Sequence, residues 1–203
     1  MKKIIALLLA AVMVMCLFAG CASSGGSKVI KIGVFEPQSG DNGAGGKQEV
    51  LGMQYANYVQ PTVEIGGETY DVKLEIVDNR TTAENGPSAA SELMNRGVSI
   101  VLGSYGSGVS MAGGTVFQEA GVPAIGVTCT NPGVTAGNDY YFRICFLDPF
   151  QGTVLANFAQ EKFSAKKAYC LGELGNEYDQ GLIKYFTDAF DGEVITDSFP
   201  TNT

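Results

Sequence analysis

Two short loops carry the hydroxyl groups and glycines with which this chain could bind a small anion. The first, residues 103–108 (GSYGSG), joins an apolar run to a predicted helix and contains Ser107. The second, residues 128–132, begins at Thr128 and includes Thr130. Backbone N–H groups in the first turn of a helix have no acceptor within the helix and favour a negative charge. Hydroxyl groups beside such a turn suit a small carboxylate.

Other interpretations of the glycine-rich segments stay open from the residues alone. Glycine and serine are common in a turn that binds nothing. GSYGSG lacks the Lys-Ser/Thr ending of a P-loop and does not fit GxGxxG, so it gives weak support to a nucleotide site. Residues 38–46 would suit the phosphate loop of a flavodoxin-like protein, but Ser39 is their one hydroxyl side chain. Scattered Asp and Glu residues leave a carboxylate-based hydrolase open.

The composition restricts the chemistry further. The chain has 203 residues and no histidine, which excludes Ser-His-Asp and Cys-His catalysis and the HExxH zinc motif. Lys and Arg number 13 against 21 Asp and Glu, and the resulting formal net charge of -8 argues against a nucleic-acid partner. The cysteines show no CxxC spacing, so we predict neither a metal nor a cofactor.

Alternation of strands and helices predicts an α/β fold with a doubly wound parallel sheet. Strands are predicted at residues 29–35, 63–77 (a hairpin around Gly66 and Gly67), 98–102, 122–127, 140–146, 167–171 and 193–199. Helices are predicted at residues 48–59, 84–96, 108–120, 148–163 and 177–190, with Asp148 as the N-cap of the fourth. Ligands of such sheets bind beyond the carboxyl ends of the strands, where both hydroxyl-bearing loops lie.

The amino-terminal segment has the pattern of a lipoprotein signal peptide. Two lysines precede an uncharged apolar run, residues 4–18, which is short for a membrane-spanning helix. The run ends in FAGC, with small residues before Cys21. We predict a signal peptide at residues 1–20, lipidation of Cys21 and a Ser/Gly tether at residues 21–28. Ordinary secretion, with Cys21 unmodified, is the alternative.

Three cysteines would remain in the body of the mature chain: Cys129, Cys145 and Cys170. An odd number cannot pair completely within one chain, so the sequence does not support a disulfide framework. We expect them to be mainly buried, small apolar residues.

Several segments occur in a characteristic order along the mature chain. They are IKIGVFEPQSG, KLEIVDNRTTAENGPSAASELMNRGVSIVLGSYGSG, GVPAIGVTCTNP, FRICFLDPFQG and GNEYDQG. This ordered set resembles the substrate-binding lipoproteins of ABC importers, in the branched-chain amino acid (Leu/Ile/Val-binding) family. The resemblance implies the type I periplasmic-binding-protein fold, in which two doubly wound lobes close on a ligand.

The resemblance also implies roles for five residues. Ser107 matches the serine that binds the α-carboxylate of the ligand. Thr128 matches a residue that contributes its backbone, and Thr130 matches a threonine that bonds the carboxylate or the ammonium end. Tyr178 matches a tyrosine that reaches the ligand from the second lobe, and Tyr105 falls on the pocket wall.

Two departures from the family pattern concern the ligand and the length of the chain. Gly45 or its neighbour stands where relatives that hold aliphatic amino acids have an aromatic residue, and this change would enlarge the pocket. The acid that neutralises the ligand ammonium in this family falls downstream of Thr203. We therefore expect lobe 1 at residues 29–146 and an incomplete lobe 2 at residues 147–203. Such a fragment would bind amino acids weakly or not at all.

The implied function is that of a non-enzymatic, extracytoplasmic solute-binding protein, lipid-anchored to the bacterial cell membrane. It would capture a branched-chain amino acid or a similar small carboxylate and deliver it to the ABC permease in the membrane. One alternative is a ligand-sensor ectodomain of the same fold. Another is a carboxylate-based or flavodoxin-like enzyme.

Overall fold

The computed structural model describes residues 28–201, which are built around a six-stranded sheet. The strands of this sheet are β1 (Val29–Glu36), β2 (Thr62–Ile65), β3 (Glu68–Asp78), β4 (Ile100–Leu102), β5 (Ala124–Gly126) and β6 (Tyr141–Arg143). Their order is β2-β3-β1-β4-β5-β6, and all neighbours are parallel except β2, which pairs with β3 through the predicted hairpin. The order reverses direction at β1, so the predicted doubly wound α/β sheet is confirmed.

Five α-helices, a short 3-10 helix (Pro132–Val134) and a second, smaller sheet complete the described chain. The helices are α1 (Gly43–Val59), α2 (Gly86–Asn95), α3 (Ser107–Ala120), α4 (Asp148–Phe163) and α5 (Glu177–Ala189). The small sheet pairs β7 (Lys167–Glu173) with β8 (Glu193–Phe199) in parallel. None of the described helices is both long and apolar enough to cross a membrane. The predicted signal peptide, residues 1–20, and the predicted lipidation site, Cys21, lie outside the described residues.

The main core lies between the six-stranded sheet and the pair of helices α2 and α3. Phe35 of β1 and Phe117 of α3 are fully buried, and their rings meet edge to face at 5.3 Å. Leu93 fills the α2 side of the same cluster. Burial of large apolar side chains contributes roughly 1.5–3 kcal/mol each. This packing holds the carboxyl ends of β1, β4 and β5 in fixed positions.

Several element boundaries differ from those that the sequence predicts, and local contacts explain two of them. Helix α1 begins at Gly43, because buried Gly43 and Gly46 allow a close approach that outweighs their low helix propensity. The expected N-cap role of Asp148 is wrong, since Leu147 occupies the N-cap position and Asp148 is the first helical residue. Its backbone N–H instead donates to the Thr130 carbonyl at 3.1 Å.

Candidate functional site

A cavity of about 820 Å³ lies beyond the carboxyl ends of the central strands. It is bounded on the other side by α5 and the loop that precedes it. The five residues predicted to bind the ligand all line this cavity: Tyr105, Ser107, Thr128, Thr130 and Tyr178. Residues from the loops after β1 and β3, including Asn42 and Thr81, complete the wall on the side of the six-stranded sheet. The cavity therefore occupies the position where the sheet topology predicts a ligand.

Ser107 is the first residue of α3 and is 2% exposed. The Asn131 backbone N–H donates to Ser107 Oγ at 3.2 Å, which connects the two hydroxyl-bearing loops. Gly106, Ser107 and Gly108 all reach the cavity surface. Since the first N–H groups of a helix have no acceptor within it, this end of α3 favours an anionic group in the cavity.

Four hydrogen bonds fix the loop before α3 in place. Its hydrogen bonds run from Asn79 Nδ2 to Ser104 Oγ (2.8 Å), from Tyr105 N to Glu36 Oε2 (2.7 Å), from Tyr141 OH to the Gly103 carbonyl (2.7 Å) and from Ser110 Oγ to the Gly106 carbonyl (2.7 Å). Donors that are fixed in advance lose little conformational entropy when a ligand binds. The anion-binding end of α3 is therefore preorganised.

The second loop presents two threonines in different states. Thr128 Oγ1 donates to Glu49 Oε1 at 2.6 Å, so this hydroxyl already has a protein partner. Thr130 is 7% exposed, and its buried hydroxyl has no hydrogen-bond partner among the described residues. Unsatisfied buried polar groups are rare in native proteins and often mark ligand sites. Thr130 therefore has free hydrogen-bonding capacity at the cavity wall.

Asp148 lies behind Thr130 and was missed as a site residue because its position after a strand suggested a helix cap. It is fully buried, and neither of its carboxylate oxygens has a hydrogen-bond partner in the described chain. Burial raises the pKa of Asp148, while the nearby Thr130 hydroxyl and Arg143 guanidinium counteract that rise. The Thr130 hydroxyl is close to this carboxyl group without meeting hydrogen-bond geometry. Asp148 is thus a buried carboxyl group next to Thr130, and its raised pKa favours the neutral form.

Tyr178 faces the cavity from the opposite side. Asn176 caps α5 by accepting from the Tyr178 and Asp179 N–H groups at 3.0 and 3.3 Å. The Tyr178 hydroxyl accepts from Gln151 Nε2 at 2.8 Å. These two contacts orient the phenol ring on the second wall of the cavity.

Tyr105 and Gly45 together shape the cavity wall on the side of the six-stranded sheet. A Cβ atom at Gly45 would lie 2.7 Å from atoms of the Tyr105 ring, so the ring covers that face of α1. The absence of a side chain at Gly45 therefore creates the place for the Tyr105 ring. The enlargement predicted from Gly45 is offset by this tyrosine, which is 37% exposed.

Two further acidic residues contact residues of the cavity wall, and the sequence did not predict either of them as a site residue. Glu36 ends β1 and contacts the Tyr105 backbone, and Glu49 of α1 contacts Thr128. A charged residue at the end of the strand VIKIGVFE was the available signal for Glu36. Nothing in the spacing of α1 distinguishes Glu49 from a solvent-exposed acid.

The three cysteines of the described chain are free, with Cys129 buried and Cys145 and Cys170 partly buried. Cys145 lines the cavity, and its Sγ lies 3.5 Å from the Cys129 carbonyl oxygen. Burial raises the pKa of the Cys129 thiol to about 11, which favours its neutral form.

Comparison with known proteins identifies the family. The sequence model of the family described as "Periplasmic binding protein" matches residues 29–203. This chain belongs to that family. Among members of known structure, a leucine-binding protein, LivK, from Thermotoga maritima is 31% identical, with a TM-score of 0.81 over 86% of this chain and 50% of its own. The likeness confirms the predicted type I periplasmic-binding-protein fold.

Two further relatives show the same extent of similarity. The branched-chain amino acid transporter substrate-binding protein LivJ from Streptococcus pneumoniae, solved in complex with isoleucine, is 31% identical with a TM-score of 0.78. The match covers 87% of this chain and 51% of that protein. Leu/Ile/Val-binding protein homolog 3 of Brucella melitensis is 31% identical over 170 residues, 83% of this chain and 45% of its own. The chain thus spans about half the length of these relatives.

Proposed function

We propose that this chain belongs to the extracytoplasmic solute-binding component of an ABC importer, and that its ligand is a branched-chain amino acid or a similar small carboxylate. The observation that carries the proposal is the cavity whose wall contains the amino-terminal end of α3 and Thr130 on one side and Tyr178 on the other. Relatives named as Leu/Ile/Val-binding proteins and the isoleucine complex of LivJ support the same ligand class.

In the proposed binding mode, the ligand carboxylate accepts hydrogen bonds from the first turn of α3, from Ser107 Oγ and from Thr130 Oγ1. Thr128 contributes its backbone, and Tyr178 contacts the ligand from the second lobe. Hydrogen bonds of this kind to a charged group contribute roughly 1.5–3 kcal/mol each. The Tyr105 ring would pack against the ligand side chain.

The charges around the cavity favour a zwitterion over a simple anion. No Lys or Arg occurs among the described residues that line it. Acidic residues do line it, namely Asp41, Glu84, Glu173, Glu177 and Asp179. Carboxylate groups attract an ammonium group and repel a second negative charge. An amino acid, with one group of each sign, therefore fits better than a dicarboxylate.

The organisation of the whole protein is part of the same proposal. Lobe 1 comprises residues 29–146, and lobe 2 begins at residue 147. Residues 1–20 direct export, Cys21 carries the lipid anchor and an ABC permease receives the ligand. Incorporation of a labelled fatty acid in the bacterial host should occur in the wild-type protein and disappear in C21A. Equal labelling of both proteins would contradict the anchor.

Calorimetry with L-isoleucine tests the ligand. It is carried out on the full-length protein, by which we mean the protein with both lobes complete. We expect a Kd of roughly 1 μM or lower, which corresponds to about 8 kcal/mol of binding free energy. Isoleucinol, which lacks the carboxylate, and 3-methylvalerate, which lacks the ammonium group, should each bind at least about tenfold more weakly, because each loses charge-assisted hydrogen bonds. Binding of 3-methylvalerate as tight as that of isoleucine would contradict the zwitterion, and no heat with any amino acid would contradict the function.

A further inference from the structure

A pair of carboxyl groups lies directly behind the two loops to which we assign the ligand carboxylate. Glu36 is fully buried at the end of β1, and its Oε2 accepts from the Tyr105 N–H at 2.7 Å. Glu49 projects from α1, and its Oε1 accepts from Thr128 Oγ1 at 2.6 Å. The Glu49 side chain is near enough to Glu36 to raise the pKa of the Glu36 carboxyl group. Through them, the loop after β4 is connected to the loop after β5.

Each carboxyl group of this pair keeps one oxygen that no donor satisfies. Glu36 Oε1 and Glu49 Oε2 are buried and have no hydrogen-bond partner among residues 28–201. Neither glutamate takes part in an ion pair in that part of the chain. Two facing carboxylates without a cation are mutually repulsive, and a proton between them removes the repulsion and satisfies both oxygens.

The other ionisable groups around the pair do not supply a cation. Tyr141 on β6 interacts electrostatically with Glu36, and Cys145 interacts with Glu49. Burial raises the pKa of both groups, so both are neutral at neutral pH. Arg143 on β6 donates to the Cys129 and Pro132 carbonyls and to Thr135 Oγ1. Asp78, at the end of β3, accepts from Gln38 N and Ser39 Oγ.

We propose that Glu36 and Glu49 share one proton and act as positioning residues, holding the loops of residues 103–108 and 128–132 at the separation that the ligand carboxylate requires. The part that concerns the ligand rests on the proposed function. The shared proton and the restraint on the loops do not depend on the identity of the ligand.

The proton should be retained at neutral pH. Burial, followed by the contact with Glu49, raises the pKa of Glu36 to about 10 from its ordinary value of 4.5. The folded protein therefore binds one more proton than the unfolded chain between about pH 4.5 and about pH 10. Stability from this group is fully present below the ordinary pKa, and the free energy of unfolding falls as pH rises through that window.

Replacement of Glu36 by glutamine tests the shared proton without ligand. The amide side chain of E36Q would keep a carbonyl oxygen for the Tyr105 N–H and place a permanent N–H donor toward Glu49. We expect a protonated-carboxyl infrared band in the full-length wild-type protein at neutral pH, and its loss in E36Q. The decrease in Tm from about pH 5 to about pH 9 should also be smaller in E36Q, because no proton is released there. The control E119Q, which changes an exposed acid on α3, should leave both the band and the Tm profile unchanged.

Hydrogen exchange tests the positioning role. In E36A the Tyr105 amide loses its acceptor, and its exchange should be about tenfold faster than in wild type or E36Q, which corresponds to one lost hydrogen bond. Isoleucine affinity should follow the same order, with E36Q near wild type and E36A about tenfold weaker.

The outcomes separate the two proposals. A wild-type infrared spectrum that E36Q does not change would overturn the shared proton. Equal exchange of the Tyr105 amide in E36A and E36Q would overturn the positioning role. If the band and the exchange behave as expected but isoleucine binds to no variant, the carboxyl pair stands and the proposed ligand fails. The infrared comparison needs only the isosteric E36Q variant, so poor folding of E36A does not prevent the test.

Discussion

The S107A/T130V variant of the full-length protein is expected to bind isoleucine at least about 3 kcal/mol more weakly than wild type, which exceeds a hundredfold in Kd. Both residues line the cavity and are only 2% and 7% exposed, so water cannot easily replace their hydroxyl groups. The Thr130 hydroxyl has no partner within the described protein, so its hydrogen bond is available to the ligand. Titration calorimetry of the two proteins under identical conditions measures the difference.

The matched control, S91A/T115V, removes one serine and one threonine hydroxyl group outside the cavity. Ser91 and Thr115 are exposed, and their hydroxyls donate to carbonyls of their own helices, Pro87 at 2.8 Å and Ala112 at 3.0 Å. S91A/T115V should therefore bind isoleucine as wild type does. Because Ser107 Oγ also accepts from Asn131 N, the Tm of S107A/T130V must be measured alongside. Wild-type affinity in S107A/T130V, or an equal loss in the control, would refute the assigned site.

The G103A variant is expected to lose about 4 kcal/mol of unfolding free energy, since positive-φ strain and overpacking each cost roughly 1–3 kcal/mol. Gly103 has φ +121°, and a Cβ atom there would lie 2.2 Å from the Phe35 carbonyl oxygen and 2.7 Å from Glu36 Oε1. Backbone of β1 cannot move aside without disturbing the core around Phe35. For a protein of this size the loss corresponds to a decrease in Tm of roughly 8–16 °C.

Gly137 provides the control that separates strain from overpacking. Its φ is +73°, but a Cβ atom there would meet nothing within 4 Å. G137A should therefore lose only the conformational part, roughly 1 kcal/mol. Thermal unfolding followed by circular dichroism compares the two variants with wild type. A G103A protein that is as stable as G137A would show that the close approach of β1 to this loop is not as described.

The candidate site illustrates what spacing can and cannot predict. Ser107 and Thr130 were predicted to lie near each other because hydroxyl-bearing loops follow strands that end at the same edge of a parallel sheet, and both line the cavity. Glu36, Glu49 and Asp148 were not found, because their importance depends on burial beside groups that are distant in the sequence. Glu36 and Tyr105, for instance, are separated by 69 positions and meet through one hydrogen bond.

For helix α1, the sequence predicted the helix but not which of its faces is buried. The helix predicted at residues 48–59 is present in the structure and includes Tyr55 and Tyr58. Both tyrosines are exposed in the described chain, at 68% and 82%, while Gly43, Gly46 and Val50 form the buried side. Periodicity reports which residues share a face, but contacts with other elements decide which face is covered.

By itself, the sequence determined the order of strands and helices, the parallel α/β class and the loops that carry the hydroxyl groups, because these depend on local patterns of apolar residues and turns. The absence of histidine was sufficient to exclude imidazole chemistry. Only the tertiary structure decided that Thr130 has no protein partner, that the Tyr105 ring covers Gly45 and that Glu36 faces Glu49. Those features depend on distances between residues remote in the chain and on the removal of water around them, and neither quantity is encoded in local spacing.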